Sequence, residues 1–71
     1  MTDYKLTARE KDVLTELVKG KTNQEIADTL FISLSTVKTH LEKLFQVYNV
    51  YNRVQLAVIA VSKDLISVNI H

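Results

Sequence analysis

The stretch SLSTVKTHLEK, from Ser33 to Lys43, gathers the side chains of this sequence best suited to polar recognition. Ser35, Lys38, Thr39 and Glu42 recur every three or four residues, so a helix here would present them on one face. Hydroxyls both donate and accept hydrogen bonds, an ammonium only donates, and a carboxylate only accepts. Such a face can bond to the edges of bases and to phosphates; it can equally be a solvated helix surface. Other chemistries lack their parts. There is no Cys, and the two histidines, His40 and His71, are too few and too scattered for a zinc site. No acid pair has a nearby His, and no Gly-rich loop could cradle a phosphate. The expectation is a binding protein, not an enzyme, with no metal and no cofactor.

The elements that position this face follow from composition and periodicity. The 71 residues allow one small domain, 1-71, with a net charge of only +1. Pro is absent and Gly occurs once, too few turn residues for a sheet-rich fold. No run is long and apolar enough for a membrane span, and no signal-peptide pattern opens the chain, so a cytoplasmic protein is expected.

Four helix starts can be read directly. Thr7 precedes Glu10 by three, and Thr22 precedes Glu25 by three; both are capping-box spacings. Ser33 and Asn52 are the further N-cap candidates. Behind these caps, apolar residues step by three and four. Val13, Leu14, Leu17 and Val18 come first, then Ile26, Ala27 and Leu30. Leu34, Val37, Leu41, Leu44, Phe45 and Tyr48 make the longest series. Gly20, just past Lys19, suits a left-handed C-cap. The spacing predicts an all-α, four-helix domain with helices over 8-19, 23-30, 34-47 and 53-63, and an irregular tail from Leu65 to His71.

A short helix, a turn of about three residues and a longer helix make a helix-turn-helix pattern. The longer helix opens on small polar residues, which would let its first turns enter a major groove. Ala27 is small enough for the two helices to approach closely. The fourth helix differs, because between Val54 and Val61 only Gln55 is polar. A small core can take one stripe of it, with Leu56, Ala57 and Ala60 the candidates. Val54, Val58 and Val61 are then left as an exposed stripe of the sort that marks a partner surface. The competing arrangement has the first helix and the tail covering both stripes.

The sequence also resembles the LuxR-type (GerE-like) helix-turn-helix family. LTAREKDVL (Leu6 to Leu14) resembles the family opening, and GKTNQEIADTLFIS (Gly20 to Ser33) resembles its Gly-x-Ser/Thr-Asn-x-Glu-Ile-Ala core. STVKTHL (Ser35 to Leu41) is similar to the recognition-helix signature, and NVYNR (Asn49 to Arg53) to the step into the last helix. The order and spacing of all of these match over about Leu6 to Val61. The sequence departs at Val47-Tyr48-Asn49-Val50, where the family usually has Lys-Leu-Gly/Asn-Val, and at Glu42, where many members carry a basic or small polar residue.

The resemblance implies a sequence-specific transcriptional regulator whose partner is double-stranded DNA. Ser35, Lys38, Thr39 and Glu42 are then the base-reading candidates, with Lys38 donating to guanine and Thr39 placing its methyl on thymine. Lys21, Thr22, Ser33, Thr36, His40 and Lys43 are the phosphate-contact candidates. For His40 the competing role is a partly buried, hydrogen-bonded ring; for Ser33 it is capping alone. The resemblance also implies a homodimer through the fourth helix, at Val54, Val58 and Val61. Glu10 and Arg53, which recur in the family, are expected to form a charge pair between the first and fourth helices, with Arg53 near DNA as the minor alternative. A short lead after Met1 suits a free-standing regulator and the output domain of a response regulator alike. The alternative class is a protein-interaction module that uses the same fold to hold another regulator or an RNA polymerase subunit; near-neutral charge and Glu42 favour it.

Overall fold

The computed structural model describes residues 4–66. Four helices follow one another: α1 (Ala8–Val18), α2 (Asn23–Leu30), α3 (Leu34–Tyr48) and α4 (Arg53–Ser62). Each starts where a side chain takes an otherwise unpaired backbone amide. Thr7 accepts from Glu10 N–H while the Glu10 carboxylate accepts from Thr7 N–H. Thr22 and Glu25 repeat the arrangement. Ser33 accepts from Thr36 N–H, and Asn52 from Gln55 N–H. Each helix is closed by a residue in the left-handed region: Gly20, Phe31, Asn49 and Asp64. The following amides turn back onto carbonyls one helical turn earlier, as in Ile32 N–H to Ala27 O and Val50 N–H to Phe45 O.

α2 ends at Leu30 as predicted, and the other three helix ends differ from the predicted ones by one residue. α1 stops at Val18, with Lys19 as the cap; α3 runs on to Tyr48; α4 stops at Ser62. A left-handed residue follows each of these ends within two residues: Gly20, Asn49 and Asp64.

α1 packs against the three other helices, α2 packs on α3, and α3 packs on α4; α2 and α4 do not pack together. The core is Val13, Leu14 and Leu17 from α1, Ile26 and Ala27 from α2, Val37, Leu41 and Leu44 from α3, and Leu56 and Ala60 from α4. Ala57, expected in the core, is only partly buried against it. Past Asp64 the chain turns back and buries Ile66 in the same cluster. The remainder of the tail, residues 67–71, lies outside the described residues.

Phe31 breaks a local rule. It holds φ 59° and ψ 41° while its side chain is 94% exposed. An aromatic residue there meets the usual Cβ clash of the left-handed region, and its ring contributes nothing to the core. Phe31→Asn should therefore stabilise the fold by about 0.5–1 kcal/mol, because Asn adopts this conformation more readily. For a domain of this size that is a rise of roughly 2–8 °C in Tm by calorimetry. A lower Tm would mean that the ring makes a stabilising contact.

Candidate nucleic-acid interface

Buried Val37, Leu41 and Leu44 fix the rotation of α3. With that face locked inward, Ser35, Lys38, Thr39 and Glu42 all emerge exposed on the other. Thr39 Oγ1 donates to Ser35 O at 2.9 Å. Its hydroxyl proton is thus taken by the helix, leaving its methyl and the accepting side of its oxygen to meet another surface. At the start of α3, Ser33 Oγ lies 2.8 Å from Thr36 Oγ1 and 3.1 Å from Ser35 Oγ, a cluster of hydroxyls around the cap. Ser33 therefore does cap the helix. His40 is half-buried on α3, and its ring makes no hydrogen bond among the described residues.

Both lysines predicted as phosphate contacts are engaged within the domain. Lys21 Nζ is 2.6 Å from Glu16 Oε1 and 3.1 Å from Thr29 Oγ1. Glu16, which also meets Lys19 Nζ at 3.1 Å, is held below its ordinary value mainly by the bond from Lys21. Lys43 Nζ lies 3.7 Å from Glu10 Oε2 and 5.2 Å from the centre of the Tyr4 ring. The Tyr4 hydroxyl and then the Glu10 charge push the Lys43 ammonium up. Thr22 is occupied as the α2 cap. Lys38 has no such carboxylate partner among the described residues.

The expected pair between Glu10 and Arg53 is not formed. Glu10 is the third residue of α1, and the capping box draws its carboxylate back over that helix start, where it accepts from Thr7 N–H at 2.9 Å. The Tyr4 hydroxyl reaches the same carboxylate at 2.7 and 2.8 Å. Arg53, at the start of α4, instead donates from Nη1 to Asn23 Oδ1 at 2.8 Å and from Nη2 to Lys21 O. Asn23, Lys38, Glu42 and Arg53 border a shallow groove of about 400 Å³ between the starts of α2 and α4 and the outer face of α3.

On α4, Val54, Val58 and Val61 are 69%, 60% and 50% exposed, whereas Leu56 and Ala60 are buried. Tyr51, at 82%, extends this apolar strip towards α3. Its backbone N–H is fixed by Gln55 Oε1 at 2.7 Å. Tyr51, Val54 and Val58 line a groove of about 340 Å³. The sequence reading did not single out Tyr51, Asn23 or Tyr4. Tyr51 sits in a segment legible only as an interruption, and the partners of Asn23 and Tyr4 are set by the fold.

Among the described residues no helix is long and apolar enough to cross a membrane, and no group of His, Cys, Asp or Glu could hold a metal ion.

Comparison with known proteins places this arrangement. Residues 4–60 match the family described as bacterial regulatory proteins, luxR family. An uncharacterized transcriptional regulatory protein of Bacillus subtilis, YhcZ, is 55% identical over 62 residues, which is 87% of this chain and 29% of that protein. The transcriptional regulatory protein LiaR of the same organism is 42% identical over the same shares. The response regulator protein VraR of Staphylococcus aureus is 39% identical over 61 residues, 86% of this chain and 29% of its own length. The chain thus spans less than a third of the length of these relatives. The match from residue 4 to residue 60 takes in all of α1, α2 and α3 and most of α4, and the chain belongs to the luxR family of bacterial regulatory proteins, which are regulators and not enzymes.

Proposed function

We propose that this domain is a sequence-specific DNA-binding module of a transcriptional regulator, with the first turns of α3 in the major groove of double-stranded DNA. The observation that carries this reading is the shared exposure of Ser35, Lys38, Thr39 and Glu42 on a helix whose other face is locked in the core. Lys38 donates to guanine O6 or N7, the Thr39 methyl rests on a thymine methyl, and Glu42 accepts from a cytosine amine. Ser33 and Thr36 meet phosphate oxygens from the cap cluster, and His40 follows the backbone further along. Lys21 and Lys43 reach phosphate only by exchanging or sharing their carboxylate partners, Glu16 and Glu10. Such a reader works in the cytoplasm, where bacterial DNA lies.

Few free cations imply modest affinity for each copy, so a second copy is needed. The apolar strip of Val54, Val58 and Val61 supplies it: α4 pairs with α4 about a two-fold axis, matching two half-sites on the DNA.

Lys38→Ala should weaken binding to the preferred site by about 1–3 kcal/mol and relax the choice of base at one position. A gel-shift series against a panel of single-base variants measures both effects. Unchanged affinity and unchanged preference would remove α3 as the reader.

A second reading has one observation in its favour. The exposed Phe31 ring beside the α3 cap suits a protein contact with another regulator or an RNA polymerase subunit. Mainly apolar association of that sort would persist at salt concentrations that dissociate a DNA complex.

A further inference from the structure

We propose that Arg53 is a positioning residue for DNA contact and that it acts through Asn23, whose side-chain amine it aims at a phosphate oxygen. The proposal rests on the DNA-binding reading above and deepens it.

The starting observation is that α2 and α4 do not pack on each other, yet their first residues are joined. Arg53 is the first residue of α4 and Asn23 the first of α2. The planar guanidinium spans the gap with both arms, Nη1 to Asn23 Oδ1 at 2.8 Å and Nη2 to Lys21 O. Its two acceptors lie on either side of Thr22, the α2 cap. The start of α2 is thereby held against the start of α4 by one fork of hydrogen bonds.

The chemistry of this fork fixes the orientation of Asn23. A guanidinium has donors and no acceptor, so only the amide oxygen can face it. The usual ambiguity between the oxygen and nitrogen of an Asn side chain is removed by the partner. With Oδ1 taken by Arg53, the Nδ2 amide nitrogen, whose two N–H groups only donate, is left for another acceptor. Among the described residues that amine has no acceptor, and Asn23 is only half-buried.

The place to which it is delivered matters. Asn23, Arg53 and Lys38 together border two adjoining grooves at the edge of the α3 reading face. Glu42 lies on one of them and supplies the single carboxylate there; Gln24 and Thr22 border the other. In a helix-turn-helix the helix before the reader crosses the sugar-phosphate backbone. The acceptor that meets the start of α2 is then a phosphate oxygen. Two of the five Arg53 donors, one on each Nη, are held by protein acceptors, and the part assigned to Arg53 is to hold Asn23. Because Arg53 is also the first residue of α4, it ties the DNA-facing end of α2 to the helix proposed to pair two copies.

The test is a double-mutant cycle on the domain, read by fluorescence anisotropy with a duplex carrying the preferred site. Asn23→Ala and Arg53→Lys should each weaken binding about 10- to 100-fold, the range for one lost hydrogen bond to a charged group. Arg53→Lys keeps the charge but cannot serve both acceptors. The double variant should bind no more weakly than Asn23→Ala alone, and the salt dependence of Arg53→Lys should match that of the parent. A direct readout accompanies the cycle. The Asn23 side-chain NH2 resonances should shift when DNA is added to the parent and stay nearly still in Arg53→Lys.

Additive losses in the cycle overturn the proposal, and so does an Asn23 amine that DNA leaves unmoved in the parent. An Arg53→Met variant whose salt slope falls by about one unit overturns it as well, since Arg53 would then touch phosphate itself. If the parent binds no duplex even at low salt, the DNA-binding reading fails first. If the parent binds and the cycle is additive, this inference alone fails.

Discussion

Glu10→Ala is expected to lower the unfolding free energy by about 2–4 kcal/mol, adding lost charge-assisted hydrogen bonds to a lost helix cap. Glu10 is 2% exposed and answers to three groups at once: Thr7 N–H, the Tyr4 hydroxyl and the Lys43 ammonium. Its removal opens the capping box, leaves the Tyr4 hydroxyl without its acceptor and frees Lys43. The neighbourhood has little polar reserve, because the buried Tyr48 hydroxyl already lacks a partner among the described residues. At 0.05–0.15 kcal/mol per residue, a domain of this size holds only about 4–10 kcal/mol in all. The substitution should therefore shift the urea midpoint strongly with little change in slope. A midpoint within the error of the parent would mean that the network is ornamental.

The same carboxylate gives the pH dependence its sign. Burial pushes the Glu10 carboxyl up, but the Thr7 amide, the Tyr4 and Thr7 hydroxyls and Lys43 together bring it below its ordinary value of 4.5. A group whose folded value is depressed stabilises fully above its unfolded value and loses that contribution as pH falls through the folded one. Glu16 adds to the effect in the same direction through Lys21 and Lys19. Stability should thus decline below about pH 4.5 in the parent and decline less steeply in Glu10→Ala.

Val58→Asp is expected to abolish pairing through α4. Val58 sits at the middle of the exposed strip, 60% exposed in the single chain and remote from the core residues Leu56 and Ala60. The lone domain should fold as before, since a carboxylate there meets water. In a symmetric pair the same position faces its own copy, so two like charges would be driven into apolar contact. A penalty of about 3 kcal/mol corresponds to roughly 100-fold weaker association. Sedimentation with a two-half-site duplex should give a 2:1 complex for the parent and a 1:1 complex for the variant. Equal stoichiometry would place the pairing surface elsewhere.

The helix starts were legible in the sequence because each is a local device. Thr7, Thr22, Ser33 and Asn52 all cap where the spacing predicted. The ends of α1, α3 and α4 were less legible, each off by one residue; Asp64, past α4, adopts a conformation that its side chain does not advertise. The face of α3 could be read from period alone, because Val37, Leu41 and Leu44 determine which way Lys38 points. Charge partners could not. Arg53 is free to seek any acceptor that the fold brings near, and the capping box had already claimed Glu10. Lys21 and Lys43 read as available cations, yet Glu16 reaches the first across the α1–α2 turn and Glu10 the second from α1. The weak net charge of +1 is thereby sharpened: even part of the local positive charge is answered inside the domain. On the proposed reading, selectivity comes from aimed groups on base edges, with bulk attraction to phosphate contributing less.

The central claim is that the outer face of α3 reads DNA, and a chemical-shift titration of the domain with duplex DNA at low and at moderate salt tests it most directly. The account predicts shifts on Ser35, Lys38, Thr39, Glu42 and the start of α2 at low salt, receding steeply as salt rises. Shifts absent from α2 and α3 at low salt, or confined to Phe31 and α4 and indifferent to salt, would contradict it.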